Sequence, residues 1–357
     1  MVFKKKIGIA LLMISAASQA AAFEIITDKD TKFSFGGYIK AEGIINKPDQ
    51  GNRTFEASMR QSRLNFAMNT ITQDHKLKAF MEIDFWDDLD KDDDASFAPR
   101  LRHAYLEIDK VTLGQTWSGQ FFATAPMDVE ILNMFGLGAG TLAGTGATVR
   151  PNLLVHYKHE GLRLTAQDPA WSEAAYPDMV ASYTYRVSGH AFNLAVTGRE
   201  VNTVNDESKF GAAVSLANKI QLGNTHLAFS AFTGQGAGVY AGWGYKGAAG
   251  ANQSTDVNQA TGKLITTTGF STGITQKFTT NLRGTLRYGQ VKSNHVEARI
   301  ANDTFKMVNA NLIYTYLTGL EFGIEWRDQN AQNMRNTSGS AARLKGQQVE
   351  LMARYTF

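Results

Sequence analysis

The feature that most constrains this chain is an alternation of apolar and polar residues, repeated in segments of about ten residues from Phe33 to Phe357. Leu77, Ala79, Met81, Ile83 and Phe85 oppose Lys78, Glu82 and Asp84. Leu320, Phe322, Ile324 and Trp326 oppose Glu321, Glu325 and Arg327, and Val349, Leu351, Ala353 and Tyr355 oppose Glu350, Arg354 and Thr356. Neighbouring side chains of a strand point to opposite faces, so each segment reads as a strand with one apolar and one polar face. The polar face is charged in mid-strand, and aromatics gather at segment ends, at Phe33, Phe35, Phe85, Trp86, Tyr288, Tyr314, Tyr316, Tyr355 and Phe357. In a soluble sandwich the apolar faces would pack on each other and the sheet edges would need protection. A ring of strands in lipid accounts for all of it, with grease outside, water inside and aromatic girdles at both rims. The expected fold is all-β, a transmembrane antiparallel β-barrel.

The connections alternate in length. Short turns fall at Thr72 to His75, Asp109-Lys110, His159 to Gly161, Ser188-Gly189, Gly223-Asn224, Thr279 to Asn281 and Thr318-Gly319. Between them lie long polar loops: Asn46 to Ser58, Asp87 to Pro99, Gly119 to Arg150, Asp168 to Asp178, Asn202 to Ser208, Gly236 to Leu264, Ser293 to Asp303 and Asp328 to Lys345. Seven short turns and eight long loops join sixteen strands, with short turns on the periplasmic side and long loops on the extracellular side. A ring of that size encloses water, whereas side chains fill one of about eight strands.

One connection is out of scale. The segment 119–150 is rich in Gly, Ala and Thr, and only Met127 to Phe135 has a helical pattern. Most loops in compact domains run roughly 2–6 residues. This third long loop is expected to fold back into the lumen and narrow it.

The chain opens with Lys4, Lys5 and Lys6, an apolar run from Ile7 to Ala17, and Ala20-Ala21-Ala22, the pattern of a cleaved secretory signal over 1–22. The apolar run is too short for a membrane helix, which needs roughly 20 residues. The mature chain, 23–357, reads as one barrel domain. Loss of the three lysines brings the 36 basic and 33 acidic residues into balance, which removes the only global support for nucleic-acid binding. There is no cysteine, so an exported chain of this length must be held by its sheet or its core. Its 33 Gly, 21 Phe and 12 Tyr against 6 Pro favour sheet over helix. A mean hydropathy of −0.25 excludes a helical membrane bundle but not a barrel, whose apolar residues are diluted by alternation.

Several motifs carry a likeness. LGQTWSGQF (Leu113 to Phe121) followed by the long third loop resembles the trimeric porins of Gram-negative bacteria, and among them the DcaP-like family. GGYIKAEGI (Gly36 to Ile44), MRQSRLNF (Met59 to Phe66), FMEIDFW (Phe80 to Trp86) and RLRHAYLEID (Arg100 to Asp109) are similar to that family too, so the likeness lies mainly in the first half of the mature chain. It implies a sixteen-stranded homotrimer in the outer membrane, in contact with lipid and lipopolysaccharide, whose third loop forms the constriction. It also implies passage of small anionic solutes such as dicarboxylates. Such proteins often carry a coiled coil after the signal; here only Phe23 to Thr31 precede the first strand.

For a channel the relevant chemistry is fixed charge along a narrow aqueous path. The alternation turns Lys40, Arg63, Lys78, Arg163, Arg186, Arg199, Lys219, Lys277, Arg283, Arg287, Arg327 and Arg354 inward. It turns in fewer acids: Glu42, Glu82, Asp84, Glu107, Glu321, Glu325 and Glu350. The excess favours anions, although most of these groups are expected to pair within the wall, Lys40 with Glu42 and Lys78 with Glu82 in particular. Arg63, in mid-strand, is the leading selectivity residue, followed by Arg102 and Arg150 near strand ends, where solvation alone is the competing reading. Arginine suits carboxylates because its planar fork engages both oxygens. Asp128 and Glu130 on the loop either oppose these cations or are ordinary helix N-terminal charges.

Other motifs carry less. The acidic run Asp87 to Asp94 lacks the Gly turn and closing Glu of a calcium loop; it reads as a solvated tip, as a latch over a neighbouring subunit given the family likeness, or secondarily as a divalent bridge to lipopolysaccharide. Gly136-Leu-Gly138-Ala-Gly140 follows no parallel strand and is no dinucleotide cradle. The seven His are scattered and no metal site or cofactor is expected; His103 and His156 are expected to face the lumen and hydrogen-bond within the wall. The terminal Phe357 resembles the signal read by barrel-insertion machinery. The expected function is a passive porin for small hydrophilic, preferentially anionic solutes. The alternatives are a non-selective general diffusion porin, a barrel enzyme, for which no matched Ser/His pair is present, or an adhesin.

Overall fold

The computed structural model describes residues 23–28, 30–49, 51–88, 97–120, 132, 150–170, 172, 174–203, 207–241, 256–258, 260–294, 304–332 and 346–357. The signal segment 1–22, most of the acidic run, the glycines 136–140, and Asp128 and Glu130 lie outside them.

The wall is a single antiparallel sheet closed on itself. Its segments are β1 (Phe23–Asp28), β2 (Thr31–Pro48), β3 (Thr54–Ser58), β4 (Arg63–Thr72), β5 (His75–Asp88), β6 (Phe97–Ile108), β7 (Val111–Gln115), β8 (Leu154–His159) and β9 (Leu162–Gln167). They continue as β10 (Asp178–Val187), β11 (His190–Asn202), β12 (Ser208–Leu222), β13 (Thr225–Gln235), β14 (Thr266–Lys277), β15 (Leu282–Asn294), β16 (Thr304–Leu317), β17 (Leu320–Gln332) and β18 (Gly346–Thr356). Each pairs with the next, except that β3 and β4 both pair with β2, and β18 returns to β2.

The eighteen segments make sixteen wall positions. β3 and β4 lie end to end on the same flank of β2, separated by a turn in which Ser62 N–H donates to Met59 O at 3.0 Å. β18 reaches Phe357 opposite Gly37, and β1 carries the same position onward, with Phe23 opposite Phe35. Two expectations are thereby corrected. Phe23 to Asp28 is itself a strand rather than a lead preceding the first one, because the lower half of β2 would otherwise present unpaired backbone at the seam. The first long loop contracts to 49–53, because β2 and β3 keep pairing to Asn46↔Thr54.

Burial is inverted relative to a soluble protein. Leu194, Leu216, Leu286, Leu312 and Leu351 are each about half exposed, whereas Asn193, Ser215, Arg287, Asn309 and Glu350, on the opposite faces of the same strands, are almost fully buried. Charged residues are rarely buried and large apolar ones rarely exposed in such an ordered array unless lipid is the outer solvent. Hydroxyl pairs stitch the inner face, Ser230 to Ser271, Thr267 to Ser293 and Thr275 to Thr285, each at 2.8 Å. At the short-turn rim Phe35 packs on Phe66 (5.1 Å between centroids) and on Phe357 (5.8 Å). No described helix is long and apolar enough to cross a membrane.

The short turns have the handedness that tight hairpins need. Both residues of the Gln73-Asp74 and Ser188-Gly189 turns have positive φ, matching the right-handed twist of the flanking strands.

The seam depends on Gly37. Its N–H and C=O exchange hydrogen bonds with Phe357, both at 3.1 Å, and a Cβ at this position would lie 2.1 Å from Arg63 O. Gly37→Ala is expected to destabilise the folded barrel by roughly 3 kcal/mol or more. The temperature at which the folded species loses its compact gel mobility will report this.

Candidate functional site

A guanidinium cluster occupies the inner face of β4 to β8. Two irregularities in the β5–β6 register build it. Glu82 opposes His103 but Ile83 opposes Leu101, so Arg102 is an extra residue in its strand. A bulge of this kind re-aims side chains, and here both Arg102 and its neighbour His103 are buried on the lumen side. Strict alternation puts His103 inward and Arg102 outward; the bulge is what brings Arg100 and Arg102 inside.

The cluster is held by two carboxylates. Arg100 grips Asp84 with both arms, Nε to Oδ1 at 3.0 Å and Nη2 to Oδ2 at 2.7 Å. Arg102 bridges the two acids, Nη1 to Asp84 Oδ2 and Nε to Glu82 Oε1, each at 2.8 Å. Arg63 Nη1 stands 3.6 Å from Glu82 Oε1, with its guanidinium over the Tyr38 ring at 5.4 Å. Arg150 comes back to the wall just before β8 and lies over the Trp117 ring at 5.0 Å, with Arg102 at 6.0 Å from the same ring. Among the described residues Arg150 has no carboxylate within ion-pair distance, and its Nε has no hydrogen-bond partner. Four guanidiniums therefore face two carboxylates. Arg102 is not a solvated rim residue, since it is only 5% exposed.

Most of the remaining sequence candidates are engaged in the wall, whereas Arg186 and Lys277 are exposed. Lys40 Nζ donates to Glu42 (2.5 Å), Glu350 (3.2 Å), Gln61 (3.2 Å) and Leu132 O (2.6 Å). Arg283 and Arg354 share Glu321 at 2.9 and 2.5 Å, and Arg287 is 1% exposed. Arg163 Nη2 donates to Gly119 O at 2.8 Å. Lys78 does not pair with Glu82. Two inward steps along one strand separate them, whereas Glu107 is directly across the ladder, where Cβ atoms lie roughly 5 Å apart. Lys78 Nζ accordingly reaches Glu107 at 3.9 Å and lies over Phe80 at 5.5 Å. His103 meets Thr116 at 3.0 Å and His156 meets Thr165 at 2.7 Å, hydrogen-bonded within the wall as expected.

The described ends of the segment 119–150 lie on the inner wall. Gly119 N–H donates to Gln167 Oε1 at 2.9 Å, and Ser215 Oγ donates to Gln120 Oε1 at 3.2 Å, well away from β7 around the ring. Leu132 is clamped on the far side. Its N–H donates to Glu325 Oε2 (2.8 Å), its C=O accepts from Lys40, and its side chain packs with Ile313 and Met352 over Gly323. A Cβ on Gly323 would lie 2.8 Å from Leu132 Cδ2. No group of metal-ligating residues occurs among the described residues.

Alternation by itself did not single out Arg100 or Trp117. The repeated Arg in RLRHAY was the available signal, but the bulge that gives it meaning leaves no mark in the pattern.

No protein-family model matches the sequence, and no curated protein matches it. Solved structures do match. The crystal structure of the outer membrane channel DcaP of Acinetobacter baumannii aligns with a TM-score of 0.76 at 20% identity, covering 94% of this chain and 100% of that one. OmpF of Salmonella typhi, in complex with daunomycin, aligns at 0.65 and 14% identity over 94% of this chain and 100% of that chain. A loop-deletion mutant of OmpT, an outer membrane protein of Vibrio cholerae, aligns at 0.61 and 13% identity over 92% and 100%. The chain thus has the closed antiparallel barrel fold of outer-membrane proteins such as the DcaP channel.

Proposed function

We propose that the protein is a passive outer-membrane porin of the DcaP-like kind, a homotrimer after removal of residues 1–22, which passes small hydrophilic solutes and prefers anions. The observation that carries this reading is the excess of guanidinium over carboxylate on β4 to β8, with Arg150 lacking an acidic partner among the described residues. Fixed cations along a water-filled path raise the local concentration of anions and lower the barrier to their entry. The bidentate Arg100–Asp84 pair has the geometry with which a free carboxylate would be received by the same cluster. Dicarboxylates fit a path with several such forks in sequence.

The segment 119–150 is the constriction in this reading, supported by the seats of Gly119, Gln120 and Leu132 on the inner wall. Asp128 and Glu130 would face the arginines across it. A general diffusion porin is the second reading. The pairing of Lys40, Arg283, Arg327 and Arg354 with wall carboxylates favours it, because paired charges contribute little field to the bore.

Reversal potentials in planar bilayers under a salt gradient separate the two. Arg63→Glu and Arg150→Glu are each expected to lower the anion-to-cation permeability ratio by roughly a factor of two or more. An unchanged ratio in both variants would leave the general diffusion porin. Gly323→Val displaces Leu132 from its seat and is expected to change unitary conductance; constant conductance would remove the third loop as the constriction.

A further inference from the structure

Besides the seat of Leu132, the described inner wall has a larger apolar region that a water-filled bore does not explain. At the long-loop end of β12, β13, β15 and β16, the inward residues Ala213, Phe232, Val291, Phe305 and Met307 are apolar. Lower on the same strands the inward face is Ser215, Ser230, Thr285 and Asn309. The apolar residues are covered by the start of the sixth long connection, where Ala237, Val239, Tyr240 and Ala241 are at most 1% exposed. That segment begins with Gly236 and a short helical turn, Gly238–Tyr240, and its far end returns through Asp256 and Ile265.

A fully buried polar network fixes it. Arg199, inward on β11, donates from Nη1 to Asp256 Oδ2 at 2.7 Å and from Nη2 to Ala170 O at 3.0 Å. Its Nε lies 3.2 Å from Asp178 Oδ1, and its guanidinium stands 5.5 Å from the Tyr240 ring. Asp256 Oδ1 also accepts from Val239 N–H at 3.2 Å. Tyr240 donates its hydroxyl hydrogen to Asp178 Oδ2 at 2.5 Å and accepts from Gln167 Nε2 at 2.6 Å. Gln167 is the same residue whose Oε1 holds Gly119 N–H. One amide therefore ties the sixth connection to the third, and the donors and acceptors around it admit a single amide orientation.

We propose that the described ends of the sixth connection, residues 236–241, 256–258 and 260–265, form a second constriction, a strap latched by Arg199 across the β9 to β16 side of the lumen. It confines solute to the opposite side, past the guanidinium cluster. Arg199 is a positioning residue: it touches no solute and acts through the strap. The proposal rests on the channel reading, and the experiment treats the two separately. The chain has no cysteine, so Ala237→Cys introduces a single thiol within the strap, at a position that is fully buried while the strap is seated. In folded protein that thiol is expected to resist a bulky membrane-impermeant maleimide, and to react once Arg199→Ala is added. Arg199→Ala is also expected to raise unitary conductance about twofold and to move the reversal potential toward zero, because the widened bore bypasses the arginines. Asp256→Asn acts from the strap side and gives the same readouts if Arg199→Ala fails to fold. A thiol that reacts equally with and without the latch overturns the proposal. So does a released strap with unchanged conductance and selectivity. A wild-type chain that opens no channel removes the porin reading instead, while the thiol measurement still decides whether the strap is seated.

Discussion

The structure depends on one constraint: inside a bilayer, every backbone N–H and C=O must find a partner within the protein. Each unsatisfied group in hydrocarbon costs several kcal/mol, which leaves the closed barrel as the only sheet that can span. The seam between β2 and β18 is where this demand is hardest to meet, because the closing strands are brought together from opposite ends of the chain. Gly37 and Phe357 meet it with a reciprocal pair of hydrogen bonds, and β1 extends the pairing past the last residue of β18. Closure then fixes which face sees lipid, and the whole alternation pattern follows from it.

Closure also creates an interior that is neither core nor surface. Charges there are partly desolvated, so an unpaired one is costly and a paired one is held firmly. Removing one member of a buried pair typically costs about 3–5 kcal/mol. Most of the wall obeys that pressure: Lys40 is surrounded by acceptors, and Glu321 serves two arginines. The β4 to β8 face departs from it: Arg63 shares Glu82 with Arg102 and lies over Tyr38, and the contact of Arg150 with Trp117 stands in for a carboxylate that the described residues do not supply. An aromatic face stabilises a cation by roughly 0.5–2 kcal/mol without cancelling its charge. That difference matters for a channel, since a guanidinium held by a ring still attracts an anion.

The loops behave as structural elements in their own right. Lys40 and Glu325 hold one residue of the third connection by its backbone, and Gln167 holds both the third and the sixth. The apolar patch under the strap and the polar face below it share strands, so the wall was shaped for what covers it.

Much of this was legible in the residue order. Period two assigns a face to each side chain, and it placed Lys40, Arg199, Arg287 and Glu325 inside, where they are buried. Punctuation by Gly, Asn and Asp marked the short turns, and Lys40 with Glu42 could be paired from their spacing alone. What period two does not carry is height: the stagger between strands, and any extra residue that breaks the count. Lys78 therefore meets Glu107 rather than Glu82, and Arg102 enters the lumen through a bulge. Lys40 finds Glu350, 310 residues away, only because the ring closes. Alternation is a local property of each strand, whereas partners are chosen by the register of the closed sheet. The faces could be read from sequence, and the contacts across them had to come from the fold.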